Sequence, residues 1–68
     1  MIKAELVTGN EGIEILLDSS GIDELIDYLK SIREENDHMH LIVGNELSEE
    51  PSEEGYATIK HIKLIYID

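Results

Sequence analysis

Hydrophobic and polar positions change period along this chain, and each change marks an element. Over Ile2–Val7, the side chains of Ile2, Ala4 and Leu6 alternate with those of Lys3, Glu5 and Val7, the period of two of a half-buried strand. Residues 8–12 read Thr-Gly-Asn-Glu-Gly, with the residue types that tolerate positive φ, and predict a hairpin loop. Residues 13–17 resume the alternation and predict a second strand antiparallel to the first. The period then becomes helical: Ile22, Leu25, Ile26, Leu29 and Ile32 fall on one stripe. Ser20 and Asp23 have capping-box spacing, and Lys30 and Arg33 lie toward the negative end of the dipole, so a helix is expected over residues 20–35. Residues 39–43 predict a third strand, stopped by Gly44. Residues 45–55 hold five glutamates and the only proline without any period, and read as an exposed, mobile acidic loop. Residues 57–67, rich in β-branched side chains, predict the last and longest strand.

The order β-β-α-β-β predicts an α+β fold in one domain spanning residues 1–68: a two-layer arrangement with a four-stranded, mostly antiparallel sheet and one helix packed on one face. A single helix covers a single face. The other is expected to carry Val7, Leu16, Ile42, Ile65 and Ile67 among histidines and lysines, which suits a homodimer or a bound partner better than bare solvent.

Composition narrows the function classes. Sixty-eight residues, 41% of them hydrophobic, suffice for one small core. Sixteen acids against five bases give a formal charge of -11. Nucleic acid is thereby excluded as a partner, because its affinity comes from basic groups neutralising phosphates. Anionic membrane surfaces repel the chain for the same reason. No apolar run approaches the ~20 residues that span a bilayer, and the early acidic residues do not resemble a signal peptide. A cytoplasmic location is the expectation. There is no cysteine, hence no disulfide framework and no thiolate chemistry. Basic protein surfaces or cations remain as partners, or none in particular, the charge then serving solubility alone.

Two clusters carry candidate chemistry. His38 and His40 form an H-x-H pair whose imidazoles share one face of the third strand, and His61 on the last strand faces them if the register is right. Three imidazoles with a water, aided by Asp37 or a loop glutamate, make an arrangement that zinc accepts. The alternative is three half-exposed histidines hydrogen bonded to neighbours. The acids fall on the helix's polar face and in the loop, where solvent keeps them ordinary, so no acid–base pair is expected. The serines have no G-x-S-x-G setting, the glycines no phosphate-binding pattern, and no calcium loop occurs. These exclusions predict a non-enzymatic protein without a cofactor. The acidic stretch 46–54 reads either as a solubilising loop or as a negative arm that steers onto a basic protein surface.

The segment Asp37-His38-Met39-His40-Leu41-Ile42, then Gly44-Asn45-Glu46-Leu47-Ser48, then Ile59-Lys60-His61-Ile62-Lys63-Leu64-Ile65-Tyr66, resembles the immunity protein 32 family. These are small bacterial proteins of polymorphic toxin systems. Three short pieces occur here in the family's order, after a leading β-β-α, so the resemblance spans most of the chain. It implies toxin neutralisation by binding, with Asn45, Glu46, Glu49, Glu50, Glu53 and Glu54 as contact candidates. Tyr56 is the one aromatic placed to anchor such an interface, and His38, His40 and His61 offer an alternative polar face. The rival readings are a self-associating structural domain and a histidine metal-binding domain.

Overall fold

In the computed structural model, residues 1–9 and 12–68 are described. The elements run β1 (Ile2–Val7), β2 (Gly12–Leu17), α1 (Ser19–Glu35), β3 (His38–Ile42), β4 (Tyr56–Thr58) and β5 (His61–Ile65). The fold is α+β, and the pairings between these strands are antiparallel. The hairpin forms as its alternation predicts, with Ile2 opposite Leu17 and Leu6 opposite Ile13. Of the expected hairpin loop, Asn10 and Glu11 lie outside the described residues; Gly9 adopts φ +82°, which glycine reaches without strain.

The helix starts one residue earlier than its apolar stripe suggests, because Asp18 rather than Ser20 is the cap. The Asp18 carboxylate accepts from the Gly21 N–H at 2.8 Å and from the Ser20 hydroxyl at 3.0 Å, so Ser20 supports the cap instead of making it. The Met1 ammonium adds an ion pair at 2.5 Å. A Cβ on Gly21 would collide with the Met1 carbonyl oxygen, so the close approach of Met1 requires glycine here. Asn36, in the left-handed region at φ 52°, ends the helix.

The single four-stranded sheet is corrected to two sheets, of order β2-β1-β4 and β3-β5. The long last strand expected over 57–67 breaks at Ile59 and Lys60. Its first part pairs with β1, where the Ile59 N–H still reaches the Ala4 carbonyl at 2.9 Å. Its second part pairs with β3, beginning where the Val43 N–H meets the Lys60 carbonyl at 3.0 Å. The cause of the break is Leu47. Its side chain is 2% exposed against Ile2 and Leu41, and the next N–H, that of Ser48, takes the Ile2 carbonyl at 2.7 Å. The carbonyl that would carry β1 onward along the last strand is thus already occupied.

The core is small. Ile2, Leu41 and Leu47 form its buried centre, with Leu25 and Tyr28 of α1 and Met39, Val43, Ile62 and Leu64 around them. Of the helical stripe, Ile32 is buried and Leu25 half-buried, whereas Ile22, Ile26 and Leu29 are exposed. The expected apolar patch on the far face does not form as one surface. Val7 is half-buried and Leu16 lines a cleft, while Ile42 and Ile65 stand exposed on the other sheet and Ile67 lies beyond the last strand. The far face of the hairpin is occupied by the acidic loop.

Candidate functional site

The loop 45–55 was expected to be a mobile arm; its backbone is instead tied down along its length. Gly44, at φ +91°, starts a tight return in which the Asn45 and Leu47 N–H groups both donate to the Ile42 carbonyl, at 3.0 and 3.1 Å. The Glu46 carboxylate accepts from the Ile42 N–H at 3.1 Å. Leu47 plugs the core and Ser48 bonds to β1. The Lys3 ammonium donates to the Glu50 carbonyl, and the Ser52 and Thr58 hydroxyls bond to each other at 2.7 Å. At the far end the Gly55 carbonyl accepts from the N–H and the hydroxyl of Thr8, at 3.0 and 2.6 Å. The only apolar residue in a run of glutamates was the signal for this anchoring: Leu47 has no reason to sit in a solvated arm.

This clasp places the predicted contact residues. Asn45, Glu49, Glu50, Glu53 and Glu54 are exposed, Glu46 is half-buried, and Tyr56 stands at the edge of an open cleft of about 290 Å³. Lys3, Glu5, Glu14, Glu50 and Glu53 also line that cleft. Lys3, Glu5 and Glu14 escaped the reading of the sequence. Their alternation with Ala4 and Leu6 marked an outward face, and nothing local says that a segment more than forty residues later covers it. Lys3 and Glu5 are 5% and 7% exposed and stand 3.7 Å apart, a buried ion pair beneath an acidic roof.

The three histidines do come together, on the face of β3–β5 turned away from the core. Register sets His40 opposite Lys63 and Ile42 opposite His61, so His40 and His61 are diagonal neighbours. His40 Nδ1 and His61 Nε2 are 2.7 Å apart with the rings stacked, and His38 meets His40 edge-on with centroids 5.1 Å apart. His38 Nδ1 lies 2.9 Å from the Asp37 carboxylate. The His40 pKa is pushed down, first by partial desolvation and then by the positive neighbours His61, His38 and Lys63. His40 Nδ1 and His61 Nε2 thus engage each other, and His38 Nδ1 faces Asp37. Among the described residues no group of three or more His, Cys, Asp or Glu could hold a metal ion.

Among the described residues no helix is long and apolar enough to cross a membrane. The chain matches no protein-family model, no curated protein and no solved structure.

Proposed function

We propose that this protein is a non-enzymatic binding domain that presents a fixed acidic loop to a basic surface of another protein, in the toxin-neutralising role implied by its resemblance to immunity protein 32. The observation that carries the reading is the pinned backbone of residues 45–55 beneath exposed carboxylates. A loop already held in place loses little freedom on binding, so charge complementarity converts more fully into affinity. The anchors are backbone atoms of Ser48, Glu50 and Gly55 together with Leu47 and Ser52, and the carboxylates of Glu49, Glu50, Glu53 and Glu54 are left to a partner. Tyr56, beside them, supplies the aromatic contact on which such interfaces draw.

The test is neutralisation. Cells expressing the nuclease-like product of an adjacent reading frame are expected to survive when they also express this chain. Survival should be lost when Glu49, Glu50, Glu53 and Glu54 are all replaced by glutamine, with helicity unchanged. Equal protection by that variant would show that the loop is not the binding surface. An affinity for the toxin that stays constant between low and moderate salt would exclude the electrostatic mechanism.

A further inference from the structure

β2 ends its sheet, so its outer edge is open. The Asp18 N–H donates to the Met1 carbonyl at 3.3 Å, which sets the phase of the antiparallel ladder. Residues 12, 14, 16 and 18 therefore turn their backbone groups toward β1, and Ile13, Ile15 and Leu17 turn theirs to the open side. The side chains of these three share one face with Leu6, and Ile13 and Ile15 are 65% and 52% exposed. Among the described residues this face of β2 carries no charge in a chain of net charge -11, because Glu14 points the other way, into the cleft. The usual protections of an edge strand, a lysine or a proline, are absent from Gly12–Leu17.

The chain as a whole leaves more surface open than a compact monomer does. The chain exposes 4986 Å², whereas a compact monomer of 7.7 kDa exposes about 4,300 Å². The excess of about 650 Å² is shared by several elements, and Ile13 and Ile15 on β2 are among the most exposed aliphatic residues that contribute to it.

We propose that β2 pairs with β2 of a second copy of this chain, antiparallel about a twofold axis at Ile15, to give one continuous sheet of order β4-β1-β2-β2-β1-β4. The register follows from the ladder. Only outward-turned residues can exchange both backbone bonds, so pairs form among 13, 15 and 17. Setting Ile15 against the partner's Ile15 and Ile13 against the partner's Leu17 uses all of them. A shift toward the turn sets Glu14 directly against the partner's Glu14, a like-charge pair. A shift the other way leaves Ile13 without a partner. A strand antiparallel to its own copy is self-complementary, which closes the assembly at two copies.

Light scattering at micromolar concentrations is expected to give twice the 7.7 kDa of one chain; a single-chain mass throughout overturns the proposal. Ile15→Glu places two carboxylates face to face at the axis and should weaken association at least about tenfold. Ile65→Glu, on β5, should leave it unchanged. Association that survives the first variant, or is lost with the second, overturns the assignment. Amide exchange on the unmodified protein decides the matter even if Ile15→Glu fails to fold. Protection of the Ile13, Ile15 and Leu17 amides should appear with dimerisation and vanish on dilution, and equal exchange in both states overturns strand pairing. None of these measurements involves the loop glutamates, so this interface and the proposed toxin binding fail separately.

Discussion

The two halves of this molecule contain similar aliphatic side chains and cover them to different extents. On β3 and β5, Leu41 is 2% exposed, with Met39, Ile62 and Leu64 packed around it under Leu25 and Tyr28. On β1 and β2 the equivalent face is closed only at Ile2 and Ala4, each 1% exposed, while Leu6, Ile13 and Ile15 stay open. The difference lies in where the helix begins. α1 leaves the open end of the hairpin, beside Met1 and Leu17, and its seventeen residues lead to the start of β3. The rest of the hairpin projects past it. The radius of gyration, 12.7 Å, accordingly exceeds the ~11 Å of a compact chain of this length. Alternation along a strand shows which side chains share a face; it does not show whether anything covers that face.

Besides its share of the core at Ile2, the hairpin half is held by a polar clasp, and substitutions separate the two contributions. Lys3→Ala removes the counter-charge from buried Glu5 and one tie to the loop, and is expected to cost about 4 kcal/mol in urea unfolding. Lys3→Met with Glu5→Leu should recover most of the loss, because the desolvation penalty of both charges disappears. Leu41→Ala empties the core and is expected to cost about 3 kcal/mol. Ile13→Ala, measured on dissociated protein, should stay within about 0.5 kcal/mol. A total stability near 3–10 kcal/mol for a domain of this size means that either of the larger losses consumes much of the fold. Equal costs for Leu41→Ala and Ile13→Ala would erase the distinction between the halves.

What was readable in the sequence follows the same division. The hairpin, the helix and the third strand are local patterns, and each formed where its period placed it. The H-x-H spacing put His38 and His40 on one face, and antiparallel pairing brought His61 to them. The broken last strand depends instead on Leu47 entering the core from a loop and on Ser48 capturing the Ile2 carbonyl. That competition between segments forty-six residues apart has no local signature at Ile59 or Lys60. Covering of Lys3 and Glu5 depends on the same event. The cap differs by a smaller margin: Ser20 and Asp23 have capping-box spacing, yet the cap lies two residues before Ser20, with the Asp18 carboxylate accepting from the Gly21 N–H and the Ser20 hydroxyl.

Asp18 joins the halves, and acid should act there. The Met1 ammonium, then the Gly21 N–H and the Ser20 hydroxyl, hold its carboxyl at about 2, below the ordinary carboxylate range. The unfolded chain therefore takes up this proton first, and the stability present above pH about 4 is lost as pH falls through about 2. Asp18→Asn keeps a cap acceptor and loses the charge. Its melting temperature should lie about 5 °C below that of the unaltered chain near neutrality, and the gap should close in acid. A gap that is constant with pH would assign the cap to hydrogen bonding alone.

The smallest effect belongs to the outer face of β3–β5. The fold disfavours the His40 imidazolium, so His40 should titrate in an NMR experiment below the ordinary value near 6.5. Stability linked to it is present above that value and is lost as pH falls through the lower, folded one. Desolvation is the first cause and the His61 ring the second, so His61→Ala should move the midpoint up only part of the way. A full return to the ordinary value would make His61 the main cause, and no movement would remove it from the account. Protonating His40 places a positive charge on a face where desolvation, the neighbouring histidines and Lys63 oppose it, beside the 2.7 Å contact between β3 and β5. The exposed face of the hairpin, built from Leu6, Ile13, Ile15 and Leu17, has no group that titrates there. Mild acid should therefore loosen the half that the helix covers while leaving the open edge of β2 as it was, and amide exchange near pH 5 can compare the two directly.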